Sequence, residues 1–259
     1  FMLTDFHIPL TEWPFSSSKT KQYHLAWSPS GFLGVATGKI ITILFPNKNK
    51  FDQILSFNPF NSPITTISWS NGTDSTGKTP LYLFASSESK LNAVYDISQF
   101  TIRASFSSDD SIILTSAWSP FIGDEFYLGD TNGNFICYTI TNQELRLNWK
   151  CNIGFPADFL SFSPFSNNVV VASKSGLFRV LDTTLQGTQI SDGQFPVDKH
   201  SINDCRFYPF LDDTLLFVLT NGVFIYPLKD NALVAIIEAE AQHESIINIA
   251  FDGSDESVF

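Results

Sequence analysis

The sequence predicts an all-β protein, a β-propeller of four-stranded antiparallel blades, and three observations carry that expectation. A short aromatic segment recurs six times at a nearly constant interval. Between its copies the apolar residues alternate with a period near two, which is the spacing of strands and not of helices. Aromatic residues make up 15% of the chain and charged residues only 16%, a balance that suits pleated, half-buried sheets.

The recurring segments are Leu25-Ala26-Trp27-Ser28-Pro29, Ile67-Ser68-Trp69-Ser70, Ala117-Trp118-Ser119-Pro120, Leu160-Ser161-Phe162-Ser163-Pro164, Cys205-Arg206-Phe207-Tyr208-Pro209 and Ile249-Ala250-Phe251-Asp252. Their aromatic anchors, Trp27, Trp69, Trp118, Phe162, Phe207 and Phe251, stand 42, 49, 44, 45 and 44 residues apart, a period that marks a repeat architecture. Within each unit an aromatic strand is followed by a Pro or Gly turn and a second apolar strand. A tight turn comes next, as at Asn132-Gly133-Asn134, Lys174-Ser175-Gly176 and Asn221-Gly222, where Gly and Asn accept positive φ. Third strands close on Tyr95-Asp96, Tyr138-Thr139, Leu181-Asp182 and Tyr226-Pro227, and fourth stretches follow, such as Phe100 to Phe106 and Leu145 to Cys151. Four strands in about 44 residues make a propeller blade.

The blades are expected over residues 20–58, 63–107, 111–152, 156–199 and 201–241, with the start of a sixth at 243–259. Five full blades and part of another leave the ring incomplete, so the remainder of the same chain is expected to close it. The six anchors are expected to occupy equivalent places and to be buried between neighbouring blades.

The units resemble WD40 repeats, with Tyr95-Asp96 and Leu181-Asp182 where that family has Trp-Asp, and His200 and His243 where it has Gly-His. No unit carries both pairs. The order of irregularities further resembles the amino-terminal propeller of the WD repeat-containing protein 11 family of vesicle-tethering subunits. That likeness rests on Gly38 to Leu44, the polar insertion from Asn71 to Pro80, Asn148-Trp149-Lys150, Phe159 to Phe165, Ser175 to Leu181 and Val234 to Glu238. It implies a longer protein acting with partner subunits at the trans-Golgi network, cytoplasmic and peripheral at Golgi and endosomal vesicles. A vesicle-coat or nuclear-pore scaffold is the alternative, built on the same blades.

Composition narrows the partners. A formal net charge of -11 argues against nucleic acid, which calls for clustered Lys and Arg. No run approaches the ~18 apolar residues of a membrane span, so direct membrane insertion is not expected. Cys137, Cys151 and Cys205 are widely spaced, without the paired spacing of a zinc site or a disulfide framework. Other proteins are the expected partners, with no cofactor, no metal and no catalytic residue.

Three motifs test that reading. Gly72-Thr73-Asp74-Ser75-Thr76-Gly77-Lys78-Thr79 fits a phosphate-binding loop, which would make the chain a nucleotide-binding enzyme using Lys78. A phosphate loop needs a helix after it, whereas Pro80 and the apolar run Leu81 to Ala85 read as a strand, so an exposed inter-strand loop is expected instead. Asn58-Pro59-Phe60 matches a tripeptide recognised by EH-domain trafficking proteins, but Ser119-Pro120-Phe121, Ser163-Pro164-Phe165 and Tyr208-Pro209-Phe210 show that x-Pro-Phe recurs as turn chemistry. Asn71-Gly72-Thr73 is a glycosylation sequon, read as unused. The doublets Asp109-Asp110 and Asp212-Asp213 fall in turns, where carboxylates are solvated.

Overall fold

The structure, a computed structural model, describes residues 23–238 except 49, 75, 109, 142–143, 198–201, 221 and 230–233. The expected sixth unit with Phe251, and both His200 and His243, lie outside the described residues. Among the described residues twenty strands form five antiparallel sheets, each of four strands in sequence order, and there is no helix. Blade 1 is β1 (Tyr23–Trp27), β2 (Leu33–Thr37), β3 (Ile40–Asn47) and β4 (Lys50–Phe57). Blade 2 is β5 (Ile64–Trp69), β6 (Tyr82–Ser87), β7 (Leu91–Asp96) and β8 (Thr101–Ser107). Blade 3 is β9 (Ile113–Trp118), β10 (Glu125–Asp130), β11 (Asn134–Ile140) and β12 (Leu145–Asn152). Blade 4 is β13 (Phe159–Phe162), β14 (Asn168–Ala172), β15 (Leu177–Asp182) and β16 (Thr188–Gln194). Blade 5 is β17 (Ile202–Phe207), β18 (Thr214–Leu219), β19 (Gly222–Pro227) and β20 (Val234–Glu238). The fold is a β-propeller, as the period required.

The second strand of each blade is buried on both faces, so it reads as an apolar run: Val169, Val170 and Val171 in β14, and Leu215 to Val218 in β18, are fully buried. In blades 2 to 4 one side of this strand faces the preceding blade and the other the following one. Fourth strands alternate between covered and exposed positions, because their outer edge meets solvent. In every blade the third and fourth strands slip register once, between Ile43 and Leu44, Val94 and Tyr95, Cys137 and Tyr138, Val180 and Leu181, and Val223 and Phe224. A bulge at this place adds twist and turns the free edge away from flat pairing.

The five described anchors each end the first strand of their blade. Trp69 Nε1 donates to the Ala26 carbonyl at 2.9 Å, and Trp118 Nε1 to the Ser68 carbonyl at 3.1 Å, so each indole reaches back to the residue just before its predecessor. Ser116 Oγ lies 2.9 Å from Ser68 Oγ, and Phe207 N donates to Ser161 Oγ at 3.3 Å. Positions offset by one residue in the repeat are thus neighbours, and the first strands run parallel around the axis. Phe162, which has no N–H to donate, meets Tyr127 of blade 3 edge-on at 5.0 Å.

Trp27 differs from the burial expected of it. It is 57% exposed, against 5% for Trp69 and 4% for Trp118. Burial of an anchor is supplied by the first strand of the preceding blade, and no described strand precedes β1; Trp27 contacts Phe51 of its own blade at 6.1 Å. Trp118→Ala is therefore expected to cost about 3 to 5 kcal/mol in denaturant unfolding. Trp27→Ala should cost roughly 1 kcal/mol, since little apolar area leaves cover. Equal costs at the two positions would contradict this packing.

His24 on β1 sits at the joint between blades 1 and 2. Burial pushes its imidazole below the usual 6.5, while a hydrogen bond to the Ile64 backbone acts the other way. Its Nε2 is buried without a partner. The neutral form is favoured in the fold, so the stability His24 contributes is full above 6.5 and falls as pH drops below that value, where the unfolded chain takes up the proton first. Unfolding midpoints between pH 7 and 5 should decline less steeply in His24→Gln; an unchanged slope would contradict the assignment.

Candidate interaction surfaces

The loop of residues 70–81 between β5 and β6 carries the phosphate-loop pattern, and Asp74 within it takes up backbone N–H groups of that pattern. Asp74 Oδ1 accepts from Thr76 N at 2.8 Å, Lys78 N at 2.9 Å and Thr76 Oγ1 at 2.7 Å. The carboxylate is held below its usual range first by the Thr76 hydroxyl and then by the Lys78 amide. Strand β6 follows, with no helix N-terminus to face a phosphate.

The base of this loop is anchored on blade 3. Thr73 bridges Ile122 in parallel, and Gly123 N donates to the Thr73 carbonyl at 2.8 Å. Two glycines allow the approach: a Cβ on Gly72 would lie 2.6 Å from Ile122 N, and one on Gly123 would lie 2.5 Å from the Gly72 carbonyl oxygen. Gly72 is buried while Asn71, Thr76, Lys78 and Thr79 are exposed, so the loop is exposed at its tip and fixed at its root.

The turn aspartates serve the backbone. Asp96 Oδ1 accepts from Ser98 N and Gln99 N, and Asp182 Oδ1 from Thr184 N, so each of these aspartates caps the turn into the fourth strand of its blade. Asp130 is more deeply placed. It is fully buried and accepts four hydrogen bonds, from Asn132 N (2.9 Å), Asn134 N (2.8 Å), Asn134 Nδ2 (2.7 Å) and Ser111 Oγ (2.6 Å). Gly133, with φ of 75°, completes this turn, where a Cβ would strike the Phe155 carbonyl at 2.6 Å. The sequence reading passed over Asp130, although Asp-x-Asn-Gly-Asn, an acceptor followed by two amides and a left-handed glycine, carries the signal.

A cleft of about 380 Å³ opens between β8 and blade 3, lined by Phe106, Ser108, Asp110, Asn134, Tyr138 and Lys150 among others. Asp130 forms part of its wall, with both carboxylate oxygens accepting hydrogen bonds. The three thiols are free, and burial raises each: Cys137 is pushed up to about 12, Cys151 upward, and Cys205 well above the ordinary thiol value. Thiols so shifted hold their protons at neutral pH and are poor nucleophiles. Among the described residues no group of three or more His, Cys, Asp or Glu could hold a metal ion, and no helix is long and apolar enough to cross a membrane.

Asn58-Pro59-Phe60 lies in the link from β4 to β5, and Phe60 is buried in the core between blades 1 and 2 with Ile64, Ile67 and Trp69. Its aromatic ring is unavailable to a ligand-reading domain. In the Ser-Pro-Phe turns, by contrast, Phe121 and Phe165 are exposed. No known protein-family profile matches the chain, and no curated protein does.

Asp130→Ala should lower stability by about 3 kcal/mol, because it strands two backbone N–H groups, the Ser111 hydroxyl and the Asn134 amide in a buried site. Asp96→Ala, at a more accessible turn with fewer donors, should cost about 1 kcal/mol. Denaturant titration of both variants checks the order, and a smaller loss at Asp130 would contradict it.

Proposed function

We propose that the chain is a non-catalytic scaffold for protein–protein interaction, part of a vesicle-tethering subunit acting in Golgi and endosome membrane traffic. The observation that carries the scaffold reading is the division of labour within the blades. Buried aromatic and aliphatic residues lock five sheets side by side, while the turns are stiffened by Ser and Asp side chains bonded to their own backbone. Rigid elements that hold turns at fixed positions present binding surfaces at low ordering cost. The polar groups of the phosphate-loop pattern are turned inward onto Asp74, which supports reading that loop as structure and not as a nucleotide site. The tethering role draws on the resemblance of the irregularities along the chain, an argument by analogy of fold and sequence.

The test is affinity recovery from native cells with the tagged full-length protein. Recovery of Golgi tethering subunits and adaptors is the expected outcome, and recovery of coat or nuclear-pore subunits instead would replace the tethering role by that of a coat or pore scaffold. A direct ATP and GTP titration should show no binding. Binding abolished by Lys78→Ala would overturn the non-catalytic reading.

A further inference from the structure

The two ends of the blades differ in what they show to solvent. First strands run parallel, so the turns from first to second strand and from third to fourth strand share one end of the propeller. Direct contacts confirm the neighbourhood: Asp212 in the first turn of blade 5 accepts from Ser163 and from Ser166 Oγ (2.8 Å) in that of blade 4, and the first loop of blade 2 bridges that of blade 3 at Thr73 and Ile122. Exposed large apolar side chains gather at this end. Phe121, Ile122, Phe165 and Leu211 stand in first turns, and Phe100 and Leu185 in third turns. Among the described residues, the opposite end shows Ile40, Leu91 and Leu177, which open β3, β7 and β15, interspersed with Lys39, Glu88, Lys90 and Lys174.

The exposed apolar groups are held, not merely left out. Ser119 Oγ accepts from Phe121 N (3.2 Å) and Ile122 N (3.1 Å), and Ser163 Oγ from Phe165 N (3.1 Å) and Ser166 N (3.2 Å). Both serines are buried, and the proline after each fixes the entry to the turn. The same device in consecutive blades therefore projects Phe121 and Phe165 outward from a rigid base. Apolar knobs fixed in this way lose little freedom when covered, the property of an interface centre.

The charge beside them is mainly negative, although Lys78 stands in the adjoining first loop of blade 2, together with Asp74. The turns at 119–124, 163–168 and 208–213 contain Asp124, Asp212 and Asp213 and no Lys or Arg, and the whole chain carries -11. Lys229 pairs with Asp213 at 2.8 Å from the third turn of blade 5, which leaves the set acidic.

We propose that this end of the propeller, centred on Phe121, Phe165 and Leu211, binds a basic amphipathic segment of a partner protein. The segment's apolar side chains would cover the knobs and its cations face the aspartates. The proposal rests on the scaffold reading above and gives it a surface and a partner chemistry.

The probe is a fluorescein-labelled Leu/Lys amphipathic peptide of about 18 residues, with a Leu/Glu peptide of the same pattern as control. Anisotropy titrations use the full-length protein at physiological salt. The Leu/Lys peptide should bind saturably, and Phe165→Ser with Leu211→Ser should weaken it about ten-fold or more. Ile40→Ser with Leu91→Ser, at the opposite end, should change it less than about two-fold. Phe165 is 60% and Leu211 52% exposed, so the fold should survive their replacement, which thermal unfolding verifies. No binding, equal binding by the two double variants, or equal binding of the Leu/Glu peptide would overturn the proposal. So would sedimentation showing dimers that Phe165→Ser dissolves, which assigns the end to a second copy, or Phe165-dependent capture by phosphatidylcholine/phosphatidylserine vesicles, which assigns it to lipid. If the Phe165→Ser, Leu211→Ser protein recovers the same tethering subunits from cells as the unsubstituted protein, this surface fails while the scaffold reading stands.

Discussion

The joint between consecutive first strands is the interaction on which the rest of the architecture depends. A propeller blade has two apolar flanks and cannot cover either by itself. Here a flat aromatic side chain closes the gap, and in blades 2 and 3 its indole N–H finds the one kind of partner that every strand offers, a backbone carbonyl of the neighbour. A buried indole donor left without an acceptor would forfeit a sizeable part of what its packing returns. The combination fixes spacing, register and parallel direction of the inner strands at once, which in turn sets where every turn emerges. The exposed state of Trp27 follows the same logic, since it lacks a preceding acceptor strand among the described residues.

Polar chemistry in this molecule is organised around turns. Asp74, Asp96, Asp130 and Asp182 all receive backbone N–H groups within four residues of themselves. Each lets the chain reverse direction without leaving amide donors unpaired. The result is that the carboxylates nearest to catalytic-looking patterns are committed to the backbone, and the side chains left over for recognition are mainly apolar.

The repeat was legible because it is carried by large side chains at a fixed interval: Trp69, Trp118, Phe162 and Phe207 mark their strand ends in the sequence as plainly as in space. That the 70–81 segment joins two strands was also legible, from Pro80 and the apolar run that follows. What could not be read was which copy of a motif is covered. Asn58-Pro59-Phe60 and Ser163-Pro164-Phe165 look alike as tripeptides, yet Phe60 falls in a link that crosses the seam between two blades while Phe165 sits at a turn tip. Burial here depends on contacts across the repeat, which local pattern does not contain. The root of the 70–81 loop was hidden for the same reason: its contact pairs Gly72 with Gly123, two residues without side chains, in different blades.

The direction of the interblade bonds has a consequence for how the protein is made. Each indole reaches towards the amino terminus, from Trp69 to Ala26 and from Trp118 to Ser68, spanning 43 and 50 residues. The acceptor carbonyl is always synthesised first and the donor afterwards, so a blade leaving the ribosome meets a completed flank ready to receive it. Assembly can advance one blade at a time, with each of these interblade closures limited to the length of about one repeat. A chain whose bonds ran the other way would hold each finished blade waiting, its donor unpaired, for the next.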